Sequence, residues 1–214
     1  MLTPLGLQVA ALLTYGWLVA CLVWGRPNRQ AVTGPSATGT TPAGVPRSLE
    51  VVWLGSLAIL FGYPLVALIA PDVLLSFPWA VGFPGEITIE LLGLAVILVG
   101  GALVGWAFRS LGRFATVEIR LSADHEVVRS GPYGWIRHPM YTANIALGLG
   151  ITLTFLALPL LLPLALVVWL ADRRARSEER LFLASDRLGA DYRRYVGATG
   201  RFLPLSVHPY RSGA

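Results

Sequence analysis

Residues 131–141, Gly-Pro-Tyr-Gly-Trp-Ile-Arg-His-Pro-Met-Tyr, put Tyr133, Arg137, His138 and Tyr141 directly before an apolar run. Polar chemistry at the mouth of a membrane helix is costly, so such a cluster is read first as a functional site. About forty residues on, Arg173-Arg174-Ala175-Arg176-Ser177-Glu178-Glu179 forms a second polar cluster, beyond a hydrophobic hairpin. Two clusters at one membrane face can close over a charged small molecule.

Each residue type brings its own chemistry. Glu178 and Glu179 can accept hydrogen bonds from a ligand ammonium or from ribose hydroxyls. They can equally form a solvated face paired with Arg174, Arg176 and Arg180. Arg137 and Arg174 can grip a carboxylate through two parallel N–H donors, or simply anchor the chain at a basic membrane face. His138 precedes Pro139, which biases its backbone away from helix, and it stands where a loop enters an apolar segment. Tyr133 and Tyr141 suit an interface, where one end is apolar and the other wet. Their joint placement carries more than any one of them.

The elements that must position these groups are membrane helices. The 214 residues are 55% hydrophobic and 14% charged, with a mean hydropathy of +0.63, whereas soluble domains carry about a quarter charged residues. All 17 basic residues are arginine. They sit in loops beside apolar stretches, where membrane topology and anionic lipid account for them, so the basic balance is not read as a nucleic-acid surface. Cys21 is the sole cysteine, which excludes an internal disulfide and a cysteine metal cluster. Three histidines, His125, His138 and His208, with no His-x-x-x-His pair, argue against a dedicated metal site. The first apolar stretch has no charged leader and no clear cleavage site, and reads as a retained span.

Spans are expected over 5–24, 50–70 and 87–108, the second interrupted by Pro64. Residues 25–48, rich in Gly, Pro, Ser and Thr, read as a flexible loop, and 71–85 as a short segment with no basic residue. Two shorter apolar segments, 140–157 and 160–171, read as a helical hairpin. Residues 172–188 read as an amphipathic helix on the membrane surface, with a carboxylate above an apolar patch. Gly101 and Gly105 make a small-xxx-small pair suited to close helix packing. The arginine distribution puts the N-terminus outside, and loop 25–48, segment 109–137 and the tail in the cytoplasm. The expected fold is therefore an all-α integral membrane protein with about five spans. Its N-terminal three-span region is 1–108 and its catalytic region 109–214. A cytoplasmic cofactor pocket is formed by the last hairpin and the C-terminal surface helices.

Residues 109–204 resemble the isoprenylcysteine carboxyl methyltransferase family, grouped with the membrane phospholipid methyltransferases. The resemblance rests on Leu111-Gly112-Arg113, on His125-Glu126-Val127-Val128-Arg129-Ser130-Gly131-Pro132-Tyr133, and on Arg137-His138-Pro139-Met140-Tyr141. Glu178-Glu179, Gly189-Ala190-Asp191-Tyr192-Arg193-Arg194-Tyr195 and Arg201-Phe202-Leu203-Pro204 complete it. The resemblance implies a transferase using S-adenosyl-L-methionine. It implies cofactor contacts at His125, Glu126, Val127, Val128, Tyr133, His138, Pro139, Met140, Tyr141 and at the Glu178-Glu179 pair, with the choice between the two glutamates open. It implies Arg174 as the residue that contacts the methyl acceptor, with Arg176 as second choice. Arg137 and His138 join Arg174 as catalytic candidates, and no metal is implied. Two departures stand out. Thr142-Ala143-Asn144 replaces a glycine common in relatives, and the stretch from Glu179 to Gly189 is about two residues longer.

The acceptor is expected to be lipid-like or prenylated, a small molecule or a protein, reached from the membrane. A carboxylate is the first expectation, a phospholipid amine or a thiol the alternative. A nicotinamide-dependent sterol reductase shares a similar Arg-His-x-x-Tyr segment but is much larger, and a non-catalytic scaffold has no use for both clusters. The arginine-only basic set fits a bacterial or archaeal cytoplasmic membrane.

Overall fold

The computed structural model describes residues 3–26, 46–76, 83–111, 127–186 and 188–205. Among them the regular structure is helical: α1 (Pro4–Trp24), α2 (Arg47–Ile69), α3 (Pro71–Leu75), α4 (Glu86–Leu111), α5 (Pro139–Thr154), α6 (Leu161–Ala184) and α7 (Gly189–Ala198). α1 starts where a chain with these residues should. Thr3 accepts a hydrogen bond from the Gly6 N–H, and Pro4 fills the first helical position, where its missing N–H costs nothing.

α1, α2 and α4 are the described helices long and apolar enough to cross a membrane, as the sequence predicts. Their outward faces carry Leu12, Val19, Leu54, Ile59, Leu91 and Val99, all exposed. The sides turned to neighbours carry small residues such as Ala10, Ala11, Gly93 and Gly100. That is the pattern expected where lipid takes the place of water and helices associate by close packing. The expected glycine pair does this work. A Cβ on Gly105 would lie 2.6 Å from the Cys21 carbonyl oxygen, and one on Gly101 2.5 Å from Trp17 Nε1, so α1 and α4 approach only because both lack side chains. Gly150 brings α5 equally close to α4, since a Cβ there would meet Ile97 Cγ1 at 2.7 Å. Polar side chains on α1 tie into the α2 backbone around Pro64: Tyr15 donates to the Phe61 carbonyl and Gln8 to that of Leu68.

The segments expected as fourth and fifth spans are α5, of 16 residues, and the apolar first half of α6, and neither helix is among the described ones long and apolar enough to cross a membrane. The chain reverses between them through Leu156, whose φ is +47°. One expectation is corrected. Residues 172–188 are not a separate surface helix, because α6 runs unbroken through them to Ala184. The fall in hydropathy after Ala171 marks a change of surroundings and not a helix end, since Ala, Arg and Glu are all good helix formers.

The helices run so that the last turns of α1 and α4, the first turns of α2 and α5 and the second half of α6 gather at one end. Arg109 of α4 donates to the Trp24 carbonyl at the end of α1, and Arg174 of α6 meets Glu50 in the first turn of α2. Between α4 and α5, a 3₁₀ turn, Gly131–Gly134, docks on the end of α4. Gly131 is required there. Its φ is +59°, and a Cβ would collide with Ser110 Oγ and approach Trp106 Nε1 to 2.8 Å.

Candidate functional site

His138 is the N-cap of α5, with non-helical backbone, and Pro139 is the first helical residue. The segment before it is strapped to the C-terminal stretch. The Gly200 N–H donates to the Trp135 carbonyl, the Arg137 N–H to that of Gly200 and the His138 N–H to that of Arg201, at 3.1, 2.8 and 3.1 Å. Thr142 Oγ1 adds a contact to the Phe202 carbonyl at 2.9 Å. These bonds fix the backbone of 135–138 and aim Arg137 and His138 at α6.

On α6, Glu178 and Glu179 receive them differently. His138 lies between the two carboxylates, Nδ1 3.3 Å from Glu178 and Nε2 3.2 Å from Glu179. Glu179 also accepts from Arg137 Nε at 2.9 Å and from Arg201 Nη2 at 2.7 Å. Arg137 continues to the carbonyls of Val196 and Thr199. Arg201 continues to Asp172 at 2.9 Å, and Asp172 pairs with Arg176 one helical turn on. Glu178 takes a hydrogen bond from the Tyr141 hydroxyl, which accepts in turn from Arg174 Nε at 3.2 Å. The Arg174 guanidinium stands 5.6 Å from the Trp53 ring centre, and Trp53 meets Tyr141 edge to face. A continuous polar line therefore runs from Glu50 through Arg174, Tyr141, Glu178, His138 and Glu179 to Arg201 and Asp172.

The electrostatics follow from these contacts. Burial alone would raise the Glu179 carboxyl, but hydrogen bonds from His138, Arg201 and Arg137 outweigh it and hold it well below the usual carboxylate range. Burial alone would lower His138, but its bonds to Glu178 and Glu179 outweigh that and raise it. A carboxylate at each ring nitrogen favours the protonated form of the ring. Hydrogen bonding to Arg176, then the nearby Arg176 and Arg201 charges, lowers Asp172.

The structure thus brings together Arg137, His138, Tyr141, Arg174, Glu178 and Glu179. Arg137 is consumed by Glu179 and by backbone carbonyls. Arg176 is exposed and turned to Asp172, away from Arg174. Tyr133 is buried, its carbonyl accepting from the Tyr195 hydroxyl at 2.6 Å, and burial lifts its phenol well above the ordinary value. Pro139 is buried, and Met140, Val127 and Val128 are half-buried. His125 and Glu126 lie outside the described residues, as do Gly112 and Arg113 and most of loop 25–48. Sequence reasoning quoted Arg201 without assigning it a role and gave Asp172, Glu50 and Trp53 none. The spacing of Glu50 and Trp53, three apart at the start of a span, was the available signal, since it sets a carboxylate and an indole on one helix face.

Comparison with known proteins matches part of the chain. Residues 91–184 match the model of the isoprenylcysteine carboxyl methyltransferase (ICMT) family. This stretch is an ICMT-family region. The resemblance read from the motifs holds over that range, which contains Arg137, His138, Tyr141, Arg174, Glu178 and Glu179. Glu50 and Trp53 precede the ICMT region, and Arg201 follows it. A further match is to a Bacillus subtilis (strain 168) relative named "Uncharacterized protein YpbQ", 36% identical over 55 residues, which are 25% of this chain and 33% of that protein. The match therefore spans about a third of that relative's length.

Proposed function

We propose that this chain is an S-adenosyl-L-methionine-dependent membrane methyltransferase whose acceptor is a carboxylate on a lipid-like or prenylated small molecule or protein. The observation that carries the reading is the Glu178–Tyr141–Arg174 line, which sets a hydrogen-bond acceptor and a carboxylate-binding cation on one helix face within the ICMT-family region.

The residues present fit the cofactor by chemistry. It offers an ammonium and ribose hydroxyls, which need acceptors, and Glu178 retains acceptor capacity beyond its bonds to Tyr141 and His138. Its adenine needs an apolar or aromatic slot, for which Val127, Val128 and Tyr133 are the candidates. What the bound cofactor supplies is a methyl carbon made electrophilic by its attachment to a sulfonium. The chain's part is to hold the acceptor in line with that carbon, and positioning of this kind is worth roughly 7–11 kcal/mol. Arg174 is placed to orient an acceptor carboxylate. A carboxylate is already anionic at neutral pH and needs no base. A thiol or amine would instead call on a base, for which His138, held between two carboxylates, is the nearest group. Arg137 and Arg201 act through Glu179, fixing the floor on which His138 rests.

The same reading makes α5 and α6 the pair that completes five crossings. α5 is about 24 Å long at 1.5 Å per residue, enough for most of the hydrocarbon core. The end of the bundle that carries Arg47 and Arg109 then faces the cytoplasm, in a bacterial or archaeal cytoplasmic membrane, with membrane lipids as neighbours.

Calorimetric titration of the detergent-purified chain tests this. S-adenosylmethionine and S-adenosylhomocysteine are expected to bind, and Glu178→Ala to abolish binding without unfolding the protein. Binding of NADPH in their place would move the reading to a reductase, and binding of neither would leave a scaffold.

A further inference from the structure

Arg174 is almost enclosed, with its side chain 11% exposed, and yet its charge is met on one side by a carboxylate that is 49% exposed. That carboxylate is Glu50, in the first turn of α2, 124 residues away and outside the ICMT-family stretch. The contacts of Arg174 differ in kind. Nε is fixed to the Tyr141 hydroxyl at 3.2 Å, and the guanidinium stands near Trp53, which itself packs on Tyr141. Nη1 faces Glu50 Oε1 at 3.5 Å, beyond the usual N–H···O hydrogen-bond range. The first set is buried and geometrically fixed; the second is long, half in solvent and weak.

We infer that Glu50 is a built-in stand-in for the acceptor's carboxylate: it occupies the seat on Arg174 when the site is empty and is displaced when an acceptor binds. The inference deepens the proposed function and rests on it. Displacement is easy for three reasons. The Glu50–Arg174 pair is long. A ligand carboxylate can make the two parallel N–H···O bonds that Glu50 does not make. Once released, Glu50 stays in the first turn of α2, where the partial positive charge of the helix N-terminus favours a carboxylate in solvent. Glu50 adds to the Glu178 charge, relayed through Tyr141, in matching the enclosed Arg174 while the seat is empty. Specificity follows as well. An acceptor with a neutral amide in place of the carboxylate makes no ion pair with Arg174, and so does not compete for the seat that Glu50 holds.

The test uses the full chain in detergent with S-adenosylhomocysteine bound. The probes are N-acetyl-S-farnesyl-cysteine, which carries the carboxylate, and its carboxamide. Glu50→Gln is expected to bind the carboxylate probe about two- to fivefold more tightly than the wild type, as expected for removing a competing exposed ion pair. Affinity for the carboxamide should be unchanged. In turnover, KM should fall and kcat stay the same. Equal or weaker binding of the carboxylate by Glu50→Gln, or an equal gain for the carboxamide, overturns the inference. So does failure of both chains to bind the carboxylate while S-adenosylmethionine still binds, a result that leaves the methyltransferase reading standing. If the wild type binds no S-adenosylmethionine, that reading fails and the stand-in role fails with it.

Discussion

On one side of His138 the charges are matched within the chain. Glu179, with 8% of its side chain exposed, takes Arg137 and Arg201 as well as the histidine, and Arg201 passes on to Asp172. On the other side, Glu178 is 21% exposed, touches a tyrosine hydroxyl and the other ring nitrogen, and leads through Tyr141 to Arg174 and the half-exposed Glu50. Two carboxylates adjacent in sequence thus serve different ends. Glu179 fastens the C-terminal strap to α6 and α5. Glu178 belongs to a line that ends in solvent and can exchange partners with a ligand. Both lines reach solvent, at Arg176 and at Glu50, but Glu179 itself is held by Arg137, Arg201 and His138, whereas Glu178 keeps acceptor capacity for a ligand.

The harshest way to break this contrast is to remove the sealed carboxylate. Glu179→Ala would leave Arg137, Arg201 and His138 facing one another without their anion, and loss of one partner from a buried ionic cluster costs about 3–5 kcal/mol. A large fall in thermal stability in detergent is expected, and a change under about 1 kcal/mol would show that the cluster is not what holds the strap.

Proton chemistry sharpens the same contrast. The depressed Glu179 contributes stability above the ordinary carboxylate value near 4.5, and that contribution is lost as pH falls through its folded value. The raised His138 contributes fully below about 6.5 and loses its contribution as pH rises through its folded value. Melting temperature against pH should therefore fall on both sides. His138→Gln should abolish the alkaline fall and cost about 1.5–3 kcal/mol at neutral pH. An alkaline limb unchanged in that variant would assign it to another group.

The smallest effect is expected from Thr142→Val, which removes the contact to the Phe202 carbonyl and should cost about 1 kcal/mol, leaving cofactor affinity as it was. A loss of affinity there would join the strap to the open side.

Much of this was legible in the sequence because it rests on local signals. Apolar runs of sufficient length gave α1, α2 and α4. The Gly101–Gly105 pair gave the close approach of α4, and Pro139 gave the break before α5 that turns His138 toward α6. The two polar clusters meet at one end of the helices. The unbroken α6 is not legible from hydropathy, which drops after Ala171 while helix propensity stays high across Asp172–Glu179. Arg201, Asp172, Glu50 and Trp53 were missed for another reason. Each enters the site by packing across a long sequence separation, and a charged residue beside a span looks the same in sequence whether it faces solvent or a partner. Nor does spacing separate Glu178 from Glu179, because adjacent positions on a helix differ by about 100° in direction, and which direction is sealed depends on the strap.

The most direct test reads stability and S-adenosylmethionine affinity together in Glu178→Ala and Glu179→Ala. The account predicts opposite patterns. Glu178→Ala, which removes one of the two carboxylates on His138, should lose less stability than Glu179→Ala and lose the cofactor, while Glu179→Ala should lose its stability first. The contradicting result is the reverse assignment, with Glu178→Ala unstable and Glu179→Ala stable but unable to bind.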